Sequence, residues 1–220
     1  ELNYQPNSLA QSLASNRSNC IGIIVSELSG PIFGVMLSAI EMELRAAGKF
    51  AIIAAGHNDE AQEKAGIKFL NSRNCDALIL HTEALSDDFF VAQRNNLPPF
   101  VLINRDIPEI RQNCINLDNE LGGYLATKAV LEAGHRRIAY ISGPLSWQDA
   151  RSRFAGHKRA LSDFGVRFDQ RLLYEGDYRE ATGSKATLVL LDQNIPVTAL
   201  VCANDEMAAG ALDAIRNSGR

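Results

Sequence analysis

Residues able to bind or react gather just after apolar runs in this sequence: Ser26 to Phe33, Gly56 to Asn58, Asn104 to Asp106, Asp118, Gly143 to Asp149, Asp177 with Tyr178, and Asn204 with Asp205. The set is rich in asparagine, aspartate, arginine and aromatic side chains. Carboxylates and amides hydrogen-bond hydroxyls, and aromatic faces cover apolar C–H surface, so the mixture suits a polyhydroxylated ligand such as a sugar. Trp147, the single tryptophan, follows "AYISGPLS" and stands beside Asp149 and Arg153. It either packs in a core or lines a cleft. Arg153, in "ARSRFAG", falls near the start of a helix anchored by Phe154, Leu161 and Phe164. A cation in a first turn opposes the helix dipole. The residue is therefore either a solvated surface arginine or a bidentate donor to ligand hydroxyls or a carboxylate.

Signatures of catalysis are missing. No G-x-G-x-x-G opens a helix after a strand, and neither a G-x-x-x-x-G-K-[ST] loop nor a G-x-S-x-G elbow occurs. His57, His81, His135 and His157 share no spacing that builds a metal site or triad, which leaves them ordinary surface or capping roles. Cys20, Cys75, Cys114 and Cys202 are scattered and read as buried or half-buried thiols in a reducing compartment. The expectation is a binding protein, not an enzyme, without metal or cofactor. No run reaches the ~18 apolar residues of a membrane span, and the start lacks a secretory layout, so a cytoplasmic location is expected. A net charge of -4 gives no overall basic footprint. Any nucleic-acid contact must be local or lie outside this stretch.

The elements that must position these residues alternate. Strands are expected at "CIGIIVS", "KFAIIAAG", "DALILHT", "FVLINRD", "NCINLD", "RRIAYISG", "RLLYEGD" and "TALVCAND". Helices are expected from Phe33 to Ala47, Glu60 to Ser72, Ser86 to Asn95, Asn119 to Ala133, Ala150 to Phe164, Ala181 to Asp192 and Met207 to Asn217, with Gly48, Gly134 and Gly165 as left-handed stops. Strand then helix, repeated, with strands apolar at successive positions, means an α/β fold of parallel sheets covered on both faces. Ligands of such sheets collect beyond the carboxyl ends of the strands. The pattern resets near Leu117 to Asn119, so two lobes are expected, 20–117 and 118–220, the second stopping short of a further strand.

Ahead of them, residues 1–19 include "NYQPNSLAQSLASNRSN". Pro6 presets a first turn, Asn7 or Ser8 can cap, and Ser8 to Gln11 has the form of a capping box. A helix of seven or eight residues is below the ~12 at which isolated helices become marginally stable. Its apolar side is only Leu9, Ala10 and Leu13. Taken alone, it reads as a frayed tail.

Together these stretches resemble the lactose/galactose repressor (LacI/GalR) family, its galactose branch in particular. "YQPNSLAQSLA" is similar to the family's hinge helix and "GIIVSELSGPIFGVML" to its first strand and loop. "CDALILHTEALSDD", "VLINRDIPEIRQNCINLDN", "GHRRIAYISGP", "ARSRFAG" and "ALVCANDEMAAGAL" follow in family order. The resemblance implies a two-lobed, periplasmic-binding-protein-like fold with a sugar site between the lobes, contacted by Ile32, Phe33, Asn104, Arg105, Trp147, Asp149, Arg153, Tyr178 and Asn204. Gly30 stands where relatives carry asparagine, Ile32 where they carry an aromatic, and Asn104 where many carry aspartate. It further implies a homodimeric repressor induced by galactose or a related sugar. A hinge through Asn7, Ala10 and Leu13 would meet operator DNA, Leu13 wedging into the minor groove. Against that pattern the chain lacks a DNA-reading headpiece and a last segment. A sugar-binding protein of transport is the competing class, against which the hinge motif argues.

Overall fold

The computed structural model describes residues 17–193 and 195–219. Asn7, Ala10 and Leu13 therefore lie outside the described residues. The chain divides into two units, one ending at Leu117 and the other beginning at Asp118.

In the first unit, β1 (Cys20–Val25), β2 (Phe50–Ala55), β3 (Ala77–Leu80), β4 (Phe100–Ile103) and β5 (Cys114–Ile115) alternate with α1 (Pro31–Ala46), α2 (Glu60–Ser72) and α3 (Asp87–Gln93). The strands pair in parallel in the order β2-β1-β3-β4-β5. Chain order thus reverses between β1 and β3, which makes their carboxyl ends the topological switch point. Ile24, Leu70, Leu78, Leu80, Phe90, Leu102, Ile107 and Ile110 form the core.

The second unit holds β6 (Ile138–Ser142), β7 (Leu173–Glu175) and β8 (Ala199–Cys202) with α4 (Asn119–Glu132), α5 (Gln148–Asp163), α6 (Glu180–Asp192) and α7 (Asp205–Ser218). Its parallel sheet runs β7-β6-β8, placing a second switch point between β6 and β8. Alternate residues of β6 feed opposite cores. Ile138 and Tyr140 join Leu131, Leu161 and Val201, whereas Ala139 and Ile141 join Leu190 and Met207.

Local chemistry explains most boundaries. Asp59, Ser86, Asp118 and Asn204 cap α2, α3, α4 and α7 by accepting a backbone N–H. Gly48, Gly134 and Gly165 take positive φ beyond α1, α4 and α5, as expected. Helix α5 starts at Gln148 with Trp147 at its N-cap and no side-chain cap. Arg153 is therefore past the first turn, and the dipole argument for it does not hold. Asp149 occupies that turn instead. His157 also departs from expectation: it is 1% exposed and stacks on Tyr140 at 4.3 Å, a core residue and not a surface or capping one.

Candidate functional site

At the β1/β3 switch point, Phe33 on α1 meets the edge of the His81 ring, the centroids 5.2 Å apart. His81 Nδ1 shares a hydrogen bond of 3.1 Å with Ser26 Oγ, and its Nε2 lies 3.8 Å from Glu83 Oε1. Ile32, one position before Phe33, is 67% exposed. After β4, Asn104 adopts φ 62° and donates its N–H to the Ile115 carbonyl. Arg105 turns inward: Nε and Nη2 donate to the Thr82 carbonyl, Nη2 also to Leu85 O, and Nη1 to Asp87 Oδ1. Its guanidinium crosses the Phe90 ring at 5.3 Å. Most of its donors are thus spent holding the β3–α3 loop. From the other side the fully buried Glu63 carboxylate accepts the N–H groups of Glu83, Ala84 and Leu85. Glu63 and Arg105 clamp one loop through opposite backbone polarities.

Around the β6/β8 switch point, Trp147, Asp149, Arg153, Tyr178 and Asn204 come together. Tyr178 Oη donates to Asp149 Oδ2 at 2.9 Å, and its ring lies 5.8 Å from Trp147. Arg153 reaches across this pair. Nε donates to Asn119 Oδ1 at 2.9 Å and Nη1 to Ala203 O at 2.8 Å, Nη2 stands 3.6 Å from Asp149 Oδ2, and Cζ is 5.6 Å from the Tyr178 ring centre. Asn204 works at both ends, donating Nδ2 to the Tyr178 carbonyl at 2.8 Å while Oδ1 accepts the Met207 N–H.

Tyr178 takes φ 69°, a conformation uncommon for a bulky side chain and concentrated at functional sites. The Asn204 amide holds it there. Burial, then the Asp149 charge, keep the Tyr178 hydroxyl protonated far above the usual phenol range, despite opposition from Arg153. Beneath the cluster Ser142 Oγ and Tyr140 Oη are buried without a hydrogen-bond partner. The result is a partly buried set of one carboxylate, one guanidinium, one amide and two aromatic rings. That chemistry orients hydroxyls and covers a sugar face.

Sequence reasoning missed Ser26 as a partner, His81, Glu63 and Asn119. Each pairs with residues from 20 to 55 positions away, and a single sequence carries no local sign of such pairings. Among the described residues no group of three or more His, Cys, Asp or Glu is placed to hold a metal, and no helix is long and apolar enough to cross a membrane.

Comparison with known proteins agrees with this architecture. The chain is 35% identical over 218 residues to the HTH-type transcriptional regulator GalR of Escherichia coli K12, covering 99% of this chain and 64% of that one. It is 31% identical over 219 residues to the HTH-type transcriptional repressor CytR of the same strain, again spanning 64% of its length. In structure it is similar to the lac repressor dimer bound to operator and the anti-inducer ONPF, with a TM-score of 0.84 at 29% identity, covering 99% of this chain and 76% of that one. Residues 18–220 match the family described as periplasmic binding proteins and sugar binding domain of the LacI family, and the chain belongs to that family.

Proposed function

We propose that this chain is the sugar-reading core of a cytoplasmic, homodimeric transcriptional repressor, which answers to galactose or a related sugar and catalyses nothing. The observation that carries the reading is the gathering of Trp147, Asp149, Arg153, Tyr178 and Asn204 at the carboxyl ends of β6, β7 and β8. Residues 20–117 and 118–220 serve as the two lobes. Ile32, Phe33, Asn104 and Arg105 are the first lobe's ligand-binding residues in this reading, Arg105 by fixing the loop that carries His81 and Thr82. Residues 1–19 serve as hinge and linker, with Asn7, Ala10 and Leu13 facing operator DNA. A sugar that binds one conformational state about 100-fold better than the other supplies 2 to 3 kcal/mol of coupling, enough to change operator occupancy. Transport receptors share the fold, but the relatives compared above are transcription regulators, which favours the regulatory reading.

The test is a thermal-shift and calorimetric titration with a panel of hexoses, galactose first, on wild type and Arg153→Ala. Galactose or a close relative is expected to raise the wild-type Tm and to leave the variant unmoved. A variant with an unchanged shift removes Arg153 from the site, and turnover of any sugar by the purified protein overturns the repressor reading.

A further inference from the structure

Gly143 follows β6 immediately and is buried. Its φ is not positive, so no backbone conformation demands a glycine there. A contact does. A Cβ at position 143 would lie 2.1 Å from Tyr178 Cζ and 2.5 Å from both Cε atoms, which means the hydroxyl end of the Tyr178 ring rests directly on the Gly143 backbone. We infer that Gly143 is a positioning residue of the proposed sugar site: it seats Tyr178, and through Tyr178 it sets the carboxylate of Asp149. The inference rests on the sugar-binding reading of the cluster.

The atoms that meet the added carbon belong to a side chain and not to a helix backbone, so the ring yields before the fold does. It cannot yield freely. Its hydroxyl is held by Asp149 at 2.9 Å, its carbonyl by Asn204, and Trp147 and Arg153 stand against the ring at 5.8 and 5.6 Å. Displacing the ring therefore takes from Asp149 the hydroxyl that orients one of its oxygens. The other oxygen accepts the Ala150 N–H at 2.7 Å and keeps its place. The second oxygen is then left with only the longer approach of Arg153 Nη2 at 3.6 Å, and without the hydroxyl that directs it, it loses its aim at a ligand hydroxyl.

The test compares Gly143→Ala, Tyr178→Ala and the double variant in the whole chain. Readouts are Trp147 emission and Tm without sugar, and galactose titration. Because Trp147 is the only tryptophan, its emission reports the Tyr178 contact directly. Gly143→Ala is expected to change that emission and to weaken galactose binding at least tenfold. In the Tyr178→Ala background it is expected to change neither emission nor Tm further, since the ring it would strike is gone. Equal effects in both backgrounds, an emission unaltered by Gly143→Ala alone, or failure of the double variant to fold would each overturn the seat. If wild type ignores galactose and every other hexose, the sugar reading falls, whereas the emission and Tm cycle still decides the role of Gly143.

Discussion

His157 shows how far one side chain's environment outweighs its type. The Thr127 hydroxyl donates to the Gly123 carbonyl at 2.9 Å and so can only accept from His157, whose Nδ1 stands 2.9 Å away. The imidazole thereby carries a hydrogen on Nδ1, which its neutral and its charged form can both supply. Burial, aided by the charge of Lys158, lowers its pKa from 6.5 to about 4. Between those values the unfolded chain binds a proton that the folded chain refuses. The stability contribution is complete above pH 6.5 and is lost as pH falls toward 4, at most about 3 kcal/mol for a shift of this size. Urea unfolding of wild type and His157→Gln at pH 7 and pH 4.5 measures it. Wild type is expected to lose stability faster than the variant on acidification, and parallel losses would deny His157 any part in the pH dependence. The same kind of distant pairing hid His157 and His81 from sequence reasoning. Thr127 reaches His157 from the neighbouring helix α4, and Ser26 reaches His81 from the end of the neighbouring strand β1.

At the scale of elements, glycines set the distances between helices. A Cβ on Gly123 of α4 would sit 2.0 Å from the Arg153 carbonyl oxygen, and one on Gly156 of α5 would sit 1.9 Å from Glu120 O. The α6/α7 pair repeats the device, with Gly183 against Met207 O and Gly210 against Glu180 O. Here the opposing atoms are backbone and cannot step aside. Gly123→Ala is expected to cost about 2 to 3 kcal/mol in urea unfolding, as overpacking does. Gly122→Ala, with nothing within 4 Å of its Cβ, is expected to be neutral or to stabilise by up to about 1 kcal/mol through helix propensity. Equal effects would mean the crossing is looser than its geometry. The strands were legible because burial on both faces writes apolar runs into the chain, and the helix ends because stops such as Gly134 are local. The start of α5 was not, because Trp147 offers no capping oxygen. The crossing glycines were not either, since "LGGYLA" gives Gly122 and Gly123 the same local setting and only the neighbouring helix separates them. Of the residues that gather here, Trp147, Asp149, Tyr178 and Asn204 read as strand-end residues, and Arg153 as a helix residue that is either a surface arginine or a ligand donor. The inward turn of Arg105 depends on carbonyls of the β3–α3 loop that only folding supplies.

For the molecule as a whole, the proposed dimer has a physical correlate in the first unit. Val35 and Met42, two turns apart and so on one face of α1, are 73% and 66% exposed, and Phe50 and Ile53 of the edge strand β2 are 66% and 42% exposed. Large apolar side chains along one exposed helix face mark an association site, and a relative of the same fold is a dimer on its operator. Val35→Glu tests whether this face joins two copies. The site is open, so within a single copy the change is expected to alter stability by no more than about 0.5 kcal/mol. Across a two-fold contact it would set like charges on an apolar patch, and sedimentation is expected to show a dimer becoming a monomer. Tm supplies an independent check, because a dimer that binds only its folded self melts higher as concentration rises. That dependence is expected in wild type and absent in Val35→Glu. A variant that stays dimeric with its concentration dependence intact moves the interface off this face, whereas a wild type that is monomeric at every concentration removes the dimer from the proposal and leaves the sugar site to be judged on its own titration.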